Sequence, residues 1–266
     1  MLRGRRKSLS SSREGVPKFA LMSQTFSGPL DAAPRPLSPE QQDAQATLTQ
    51  LILEEGLEAQ AAEIAQVTEP IVILVTRKAV RADLALGASR LGGEPDLTPG
   101  SAWPEHNGVP LPFLAQLRLE DVAPHDVHRV LPQSGLLSFF ARSLTAGHVR
   151  FAPQGSMLER RELPEAIDEE DRTFAWGFDI KGEVSIPEAD YPDLCDQLRE
   201  ALGYGFNSHQ LLGSVEDLPG FELLLAINSD DNAGLNFGGE MMRQCFCIAR
   251  ESLRSLDFSQ VLVRAG

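Results

Sequence analysis

The chain has 266 residues, 42% of them hydrophobic, and a formal net charge of -14 at pH 7. That length suits one large domain or two fused halves, and the apolar residues are numerous enough for a sizeable core. Residues 1–21 hold six of the basic side chains and one acidic side chain, so the rest of the chain is more acidic still. An acidic body is repelled by phosphate backbones, which argues against nucleic acid as a direct ligand.

Residues 1–36 are rich in Ser, Arg and Pro and show no sustained periodicity, so they are predicted to form a disordered tail. The tail lacks the apolar central region of a secretory signal. The true start is either Met1 or Met22. No apolar run in the chain approaches the roughly 18 residues needed to span a bilayer, so no membrane contact is expected.

Residues 37–70 are predicted to form a helical segment. Ser38-Pro39-Glu40-Gln41 is typical of a helix start, because Ser38 can cap the free amides and Gln41 stands at the capping-box position. Apolar residues then recur at helical spacing on both sides of Gly56. The pattern indicates one bent helix or two short ones, packed on the sheet of the following domain, with a coiled-coil partner as the alternative.

Residues 71–266 are predicted to form the main domain. It begins with a β-branched run, Ile71-Val72-Ile73-Leu74-Val75-Thr76, that is typical of a buried strand. Further strands are predicted over 112–118, 135–141, 147–152, 222–228, 243–248 and 258–263, a longer strand or hairpin over 173–186, and helices over 192–202 and 250–255. The fold class is therefore α+β, with a mixed, largely antiparallel sheet and a few packed helices.

Two blocks of short motifs stand in fixed order. The first comprises Gly92-Gly93-Glu94-Pro95, Trp103-Pro104, Gly108-Val109-Pro110-Leu111, Phe113-Leu114-Ala115-Gln116 and Gly135-Leu136-Leu137-Ser138-Phe139-Phe140. The second comprises His209-Gln210-Leu211-Leu212-Gly213, Leu223-Leu224-Leu225-Ala226-Ile227-Asn228-Ser229-Asp230-Asp231 and Leu256-Asp257-Phe258-Ser259. This order resembles the YwqG-like family, also called the DUF1963 domain, over roughly residues 75–264. The resemblance implies a fold family and no reaction, because the family has no established general activity.

The chain departs from that family at three places. Many members carry a Trp-Gly-Asp-like element where this chain reads Asn236-Phe237-Gly238-Gly239-Glu240. Asn228 and Ala226 stand where an Asp and a Gln are usual. If those polar groups bind something in relatives, this protein binds it differently or not at all.

The two blocks are also similar to each other. Each has a Leu-Gly or Gly-Gly turn, then an apolar strand closing in an acidic pair, then a Gly-led strand rich in Phe or Cys. This shared order predicts two related halves, although the spacing differs between them.

The three cysteines are Cys195, Cys245 and Cys247. An odd set in a large chain is no disulfide framework and favours a reducing, cytoplasmic compartment. Cys245 and Cys247 stand at strand spacing, so both sulfurs are expected on one face, buried as small apolar residues. No second Cys pair exists to complete a zinc site, and no metal or other cofactor is expected.

Asp230 and Asp231, which follow an apolar strand, form the densest acidic cluster near a strand end, and His209 precedes a second apolar run. Two adjacent carboxylates and one His are too few ligands for a hard cation. The alternatives are a turn, formed by side-chain to backbone bonds of the aspartates, and a structural His. His209 as general base with the two aspartates is the enzymatic alternative.

Trp103 precedes a proline in the Gly- and Pro-rich loop, and Gln116 lies in an otherwise apolar strand. A buried amide needs hydrogen-bond partners, so Gln116 marks either a ligand site or an internal clamp on a loop. The five residues Trp103, Gln116, His209, Asp230 and Asp231 are predicted to line one concave ligand-binding site, with Trp103 as its apolar wall.

The sequence shows no complete catalytic constellation, and its body is acidic. We therefore interpret it as a binding or interaction module whose partner is a basic protein, with a small-molecule ligand as a second option. Neutralising a basic toxin or nuclease is one concrete form of this hypothesis. The alternative is a hydrolase or other small-ligand enzyme that uses His209 with Asp230 and Asp231.

Overall fold

The computed structural model describes residues 33–266 except 144, 204–207, 216, 231–232 and 238–241. Most of the predicted tail, including Met22, lies outside these residues. Arg35, at the end of the predicted tail, contacts the domain. Its backbone N–H donates to the Val127 carbonyl at 2.8 Å, and its guanidinium donates to the Ala123 carbonyl.

Five α-helices lie in the described part of the chain. They are α1 (Pro39–Glu54), α2 (Ala61–Val67), α3 (Leu119–Val122), α4 (Pro192–Ala201) and α5 (Arg250–Arg254). None of them is long and apolar enough to cross a membrane. The predicted helical segment contains two helices rather than one bent helix, since α1 ends before Gly56, whose φ is +68°.

The predicted capping box at the start of α1 is confirmed. The Ser38 Oγ accepts a hydrogen bond from the Gln41 N–H at 3.3 Å, and the Ser38 N–H donates to Gln41 Oε1 at 2.9 Å. Gln41 Nε2 also donates to the carbonyls of Ile71 and His125, at 3.2 and 3.0 Å. The same side chain thus caps the helix and fixes it to the domain, where α1 packs against α4 and a strand over Trp176–Ser185.

Ten strands form one sheet. They are β1 (Glu69–Lys78), β2 (Arg90–Leu91), β6 (Phe113–Arg118), β7 (Leu136–Ser143), β8 (Ala146–Ala152), β10 (Trp176–Ser185), β11 (Ser208–Leu211), β12 (Phe221–Asn228), β13 (Arg243–Ala249) and β14 (Val261–Ala265). Two small pairs lie outside it: β3 (Asp96–Leu97) with β9 (Glu159–Arg160), and β4 (Glu105–His106) with β5 (Val109–Pro110). The predicted α+β class is confirmed, and every described strand pair is antiparallel.

The strand order of the large sheet is symmetric about its centre. It reads β14-β13-β12-β11-β1-β10-β2-β6-β7-β8. In sequence, one long strand precedes four others twice, β1 before β2, β6, β7 and β8, and β10 before β11 to β14. In the sheet the two long strands are exchanged, since β1 pairs with β11 and β10 pairs with β2. β6 and β12 carry register shifts at matching places, Phe113/Ala115 and Leu223/Leu225. The turns after β2 and β11 both contain consecutive residues with positive φ, Gly92 with Gly93 and Leu212 with Gly213. The topology supports the prediction of two related halves.

The sheet curls until its two edge strands, β8 and β14, contact each other. Gly147 makes this approach feasible, because a Cβ there would lie 2.7 Å from Val263 Cγ2. Phe139 and Phe246 occupy corresponding positions in β7 and β13, and their rings meet edge to face with centroids 5.2 Å apart. The main core therefore lies inside the curl, and the outer face is left for loops and helices.

The cysteines sit in two places. Cys195 lies on α4, whereas Cys245 and Cys247 lie in β13 within one apolar cluster; all three are buried, and none of them forms a disulfide. Burial raises the pKa of the Cys245 thiol and raises that of Cys247 to about 11. The prediction that Cys245 and Cys247 share one buried face is confirmed.

We expect the native protein to react slowly with thiol reagents at Cys245 and Cys247, because the thiolate is the reactive form and both thiols are held protonated and away from solvent. Labelling with and without urea, read by mass spectrometry, measures this. Rapid labelling of either residue in folded protein would contradict the packing of β13.

Candidate functional site

Two of the predicted site residues, His209 and Asp230, meet inside the molecule. His209 lies in β11, and Asp230 follows the end of β12. Both side chains are 0% exposed, and His209 Nε2 stands 3.7 Å from Asp230 Oδ2. The Asp230 carboxylate also accepts hydrogen bonds from the Thr76 hydroxyl and, at 3.2 Å, from the Ala233 N–H. It thus joins β1, β11 and the turn that it begins.

The hydrogen bonds of His209 fix its protonation. Its Nδ1 accepts from the Asn228 N–H at 3.2 Å, so the proton of the neutral ring is on Nε2, facing Asp230. Burial lowers the pKa of His209 to about 4, although the Asp230 charge acts in the opposite direction. A neutral imidazole with no access to solvent is poorly placed to take a proton from a substrate. The geometry therefore fits a structural histidine.

Gln116 belongs to a different network. Its Oε1 accepts from the Asp96 N–H at 2.9 Å, and its Nε2 donates to the Ala88 carbonyl and to Asp96 Oδ2, both at 2.8 Å. All the hydrogen-bonding groups of this buried amide are engaged within the protein. Gln116 therefore acts as the internal clamp that the sequence left as one of two alternatives.

The centre of that network, Asp96, was missed by the sequence reasoning. Asp96 Oδ2 accepts from Arg90 Nη1 at 3.0 Å, and Asp96 Oδ1 accepts from Arg160 Nε at 3.0 Å. Arg90 and Asp96 are each 1% exposed. The Gly87 N–H also donates to Asp96 Oδ2, at 2.8 Å. One sequence signal could have indicated this network. Arg90 stands just before Leu91-Gly92-Gly93, and an arginine that is buried there needs an acidic partner.

Strand register explains how these polar groups come together. Arg90, Gln116, Ser138 and Arg150 are successive cross-strand partners on β2, β6, β7 and β8. We call these four residues the polar row. Its neighbours Phe139 and Val149 point into the core, so the row lies on the outer face of the sheet. The Asp96 carboxylate accepts hydrogen bonds from the first two members of the row, Arg90 and Gln116.

A pocket of about 190 Å³ lies at the other end of the polar row. Its lining consists of Asp96, Leu97, Thr98, Ser138, Arg150, Phe151 and Ala152. None of the five residues predicted from sequence lines this pocket, although Gln116 bonds to Asp96 at its edge.

Trp103 stands in a satellite core under the Gly- and Pro-rich loop. Its ring meets Phe140 edge to face with centroids 5.5 Å apart, and its Nε1 donates to the Leu111 carbonyl at 2.9 Å. The ring is half-buried among apolar side chains of the loop and of β7. It holds the loop on the sheet.

The structure therefore brings His209 and Asp230 together, and it assigns Gln116 and Trp103 to two other clusters. Asp231 lies outside the described residues. In the described part of the chain, no group of three or more His, Cys, Asp or Glu side chains is arranged to hold a metal ion. A shared concave site for all five residues stays a prediction.

Replacing Asp230 by Asn is expected to lower the free energy of unfolding by about 1 to 3 kcal/mol, because the amide cannot accept every bond that the carboxylate accepts. Urea denaturation measures the change. Asp179→Asn, at an exposed end of an Arg77 ion pair, is the matched control and should cost less than about 1 kcal/mol. Equal losses in the two variants would contradict a buried structural role for Asp230.

Comparison with known proteins identifies part of the chain. Residues 89–162 match the model of DUF1963, a domain of unknown function. The matched segment runs from just before β2 to just after β9, so it contains the whole polar row together with Asp96 and Arg160. No curated protein matches the chain.

Proposed function

We propose that this protein, which contains a DUF1963 domain, is a binding module that recognises a basic protein through an acidic surface segment. The segment comprises residues 162–171, which include six carboxylates and no basic side chain, and we call it the acidic segment. Its composition and exposure are the observation that carries the proposal. A module that covers and inhibits a basic enzyme is one concrete form of this role.

The acidic segment is largely free of internal charge partners. Glu162, Glu165, Asp168, Glu169 and Glu170 are exposed. Among the described residues, Arg142 is the cation in ion-pair range, at 3.6 Å from Asp168 and 3.4 Å from Asp171. Arg172, which follows the segment, donates to the carbonyls of Ile167 and Pro164 and forms no ion pair with its carboxylates. The remaining carboxylates therefore present negative charge to solvent without an ion-pair partner among the described residues. Such a patch speeds the approach of a basic partner and selects against acidic ones.

An exposed aromatic ring lies close to the segment in sequence. Phe174 is 87% exposed, the highest exposure among the large apolar side chains described. Interfaces commonly combine an aromatic anchor with surrounding charged groups, because the ring supplies buried area while the charges orient the partner. Phe174 with the acidic segment has both components.

The enzymatic alternative finds less support in the geometry. His209 and Asp230 are 0% exposed, and the pocket beside the polar row is lined by other residues. A general base for chemistry near pH 7 works best with a pKa near that value, whereas burial lowers the pKa of His209 to about 4. Nucleic acid is also disfavoured as a partner, because a net charge of -14 repels phosphate backbones.

We also propose a reducing compartment such as the cytoplasm for this protein. None of the three cysteines forms a disulfide, and cysteines in oxidising compartments usually do.

Comparative co-purification tests the function. The full chain is tagged and compared with the double variant Glu169→Lys/Glu170→Lys, and retained proteins are identified by mass spectrometry. The control is Glu55→Lys/Glu58→Lys, which makes the same change in net charge at exposed positions after α1. We expect a basic protein that the wild type and the control retain and that the acidic-segment variant loses. Retention of the same proteins by all three would overturn the proposal.

A further inference from the structure

The pocket at the end of the polar row is lined by both small polar side chains and apolar side chains. Ser138 and Thr98 contribute hydroxyls, while Leu97, Phe151 and Ala152 contribute apolar surface. Its volume of about 190 Å³ is below that of a pocket for a drug-sized ligand, so it suits a molecule of only a few heavy atoms.

Arg150 gives this pocket an uncompensated positive charge. Its Nη2 donates to the Ala102 carbonyl at 2.5 Å, but its Nε has no hydrogen-bond partner, and no described carboxylate lies within ion-pair range. Burial lowers the pKa of Arg150, and the nearby Arg161 charge lowers it further. Burial and the Arg161 charge both disfavour the charged form of Arg150, and no neighbouring carboxylate in the described part of the chain offsets them.

The other charged group of the lining is already neutralised. Asp96 lies between Arg90 and Arg160, each with a guanidinium nitrogen 3.0 Å from its carboxylate. Two arginines on one aspartate leave the network with net positive charge. The pocket is therefore electropositive, although the chain as a whole carries -14.

Ser138 supplies a donor that has no acceptor in the protein. The residue is 2% exposed and lines the pocket, yet its hydroxyl makes no hydrogen bond to any described group. The hydroxyl is not one of the buried polar atoms that lack a partner, so it opens onto the pocket and can donate to a ligand or solvent oxygen there. Ser138 and Arg150 are cross-strand partners, which places donor and cation side by side.

From these observations we propose that the pocket binds a small monocarboxylate, with its oxygens on Arg150 and Ser138 and its short apolar chain against Leu97 and Phe151. Guanidinium groups bind carboxylates through two parallel hydrogen bonds. A dianionic phosphate fits less well, because the one free guanidinium balances a single negative charge and leaves the second without a partner. This site is independent of the acidic segment.

The other half of the sheet supplies a natural comparison. Arg264 in β14 corresponds in register to Arg150, and Cys245 corresponds to Ser138. Arg264 Nη1 lies 2.7 Å from both carboxylate oxygens of Asp217, so its charge is satisfied internally. Only the first half thus combines a free arginine with an unpartnered hydroxyl among the residues described.

Titration of the full chain with sodium propionate, sodium butyrate and inorganic phosphate, followed by NMR shifts of β7 and β8, tests the site. We expect saturable binding of the carboxylates and weaker binding of phosphate. Arg150→Gln should weaken carboxylate binding about tenfold or more, as for loss of a charge-assisted hydrogen bond, and Arg264→Gln should not change it.

Ser138→Ala is the second variant. It removes only the hydroxyl, so the fold is expected to be kept, and carboxylate binding should weaken severalfold. Thermal midpoints show whether each variant is folded. The proposal is overturned if neither carboxylate saturates, if folded Arg150→Gln or Ser138→Ala binds as tightly as wild type, or if phosphate binds more tightly than both carboxylates.

Discussion

Replacing Asp96 by Ala is expected to lower the free energy of unfolding by roughly 3 to 5 kcal/mol, which is the cost of breaking a buried ion pair by removing one partner. Arg90 is 1% exposed, so the variant leaves its guanidinium buried without a carboxylate. Gln116 and the Gly87 N–H lose an acceptor as well. The measurement is urea denaturation, with the midpoint and slope compared with wild type.

Asp217→Ala is the matched control for Asp96→Ala. Asp217 also accepts from an arginine, Arg264, but its side chain is 63% exposed, so its loss should cost less than about 1 kcal/mol. Similar losses in the two variants would mean that Asp96 is not the centre of a buried network.

The ion pairs of Asp96 also make the free energy of unfolding depend on pH in the acidic range. Burial acts to raise the pKa of Asp96, but hydrogen bonds from Arg90 and Arg160 outweigh it and the pKa is lowered. A lowered carboxyl pKa stabilises the fold above the unfolded value of 3.8, and that contribution is lost as the pH falls through the lowered pKa.

Replacing Glu183 by Gln is expected to stabilise the protein at pH 8 and to change little at pH 4. Glu183 is 4% exposed and its Oε2 has no hydrogen-bond partner. Burial raises the pKa of Glu183 to about 8, with only a small opposing effect of Arg199. Between pH 4.5 and 8 the unfolded chain ionises this group while the folded protein keeps it protonated, so wild-type stability falls as the pH rises.

The Gln side chain does not titrate, so its advantage over Glu grows across that interval to roughly 4 kcal/mol at pH 8. Thermal or urea unfolding of both proteins from pH 4 to 8 measures this difference. Asp179→Asn, at an exposed position on the same strand, is the control and should show no such pH-dependent gain. A gain that is equal at pH 4 and pH 8 would contradict a protonated Glu183.

Local sequence signals predicted the elements that local chemistry determines. The capping box at Ser38 gave the start of α1, and the β-branched run from Ile71 gave β1. By contrast, β2 and β11 were missed, because strands of two and four residues exist only through pairing with distant strands. At the C-terminus, the strand predicted from Phe258 begins at Val261, after one 3-10 turn.

The candidate sites depended on register, which no short motif encodes. Gln116 was singled out because a polar amide interrupts an apolar strand, and this reasoning identified a real network. Its partners could not be named, since Arg90, Ser138 and Arg150 join Gln116 only when four strands align. From the sequence, His209 and Asp230 were candidates for a catalytic pair. Their complete burial, which only the tertiary structure reveals, favours a structural role instead.

We propose that the acidic segment, rather than the overall negative charge, recognises a basic partner. Calorimetric titration with a lysine-rich peptide at low salt and at about 0.5 M salt, where surface charges are screened within a few ångströms, tests it most directly. We predict binding to wild type that disappears at high salt, is lost in Glu169→Lys/Glu170→Lys and persists in Glu55→Lys/Glu58→Lys. Equal loss in both variants, or no binding to wild type, would contradict the account.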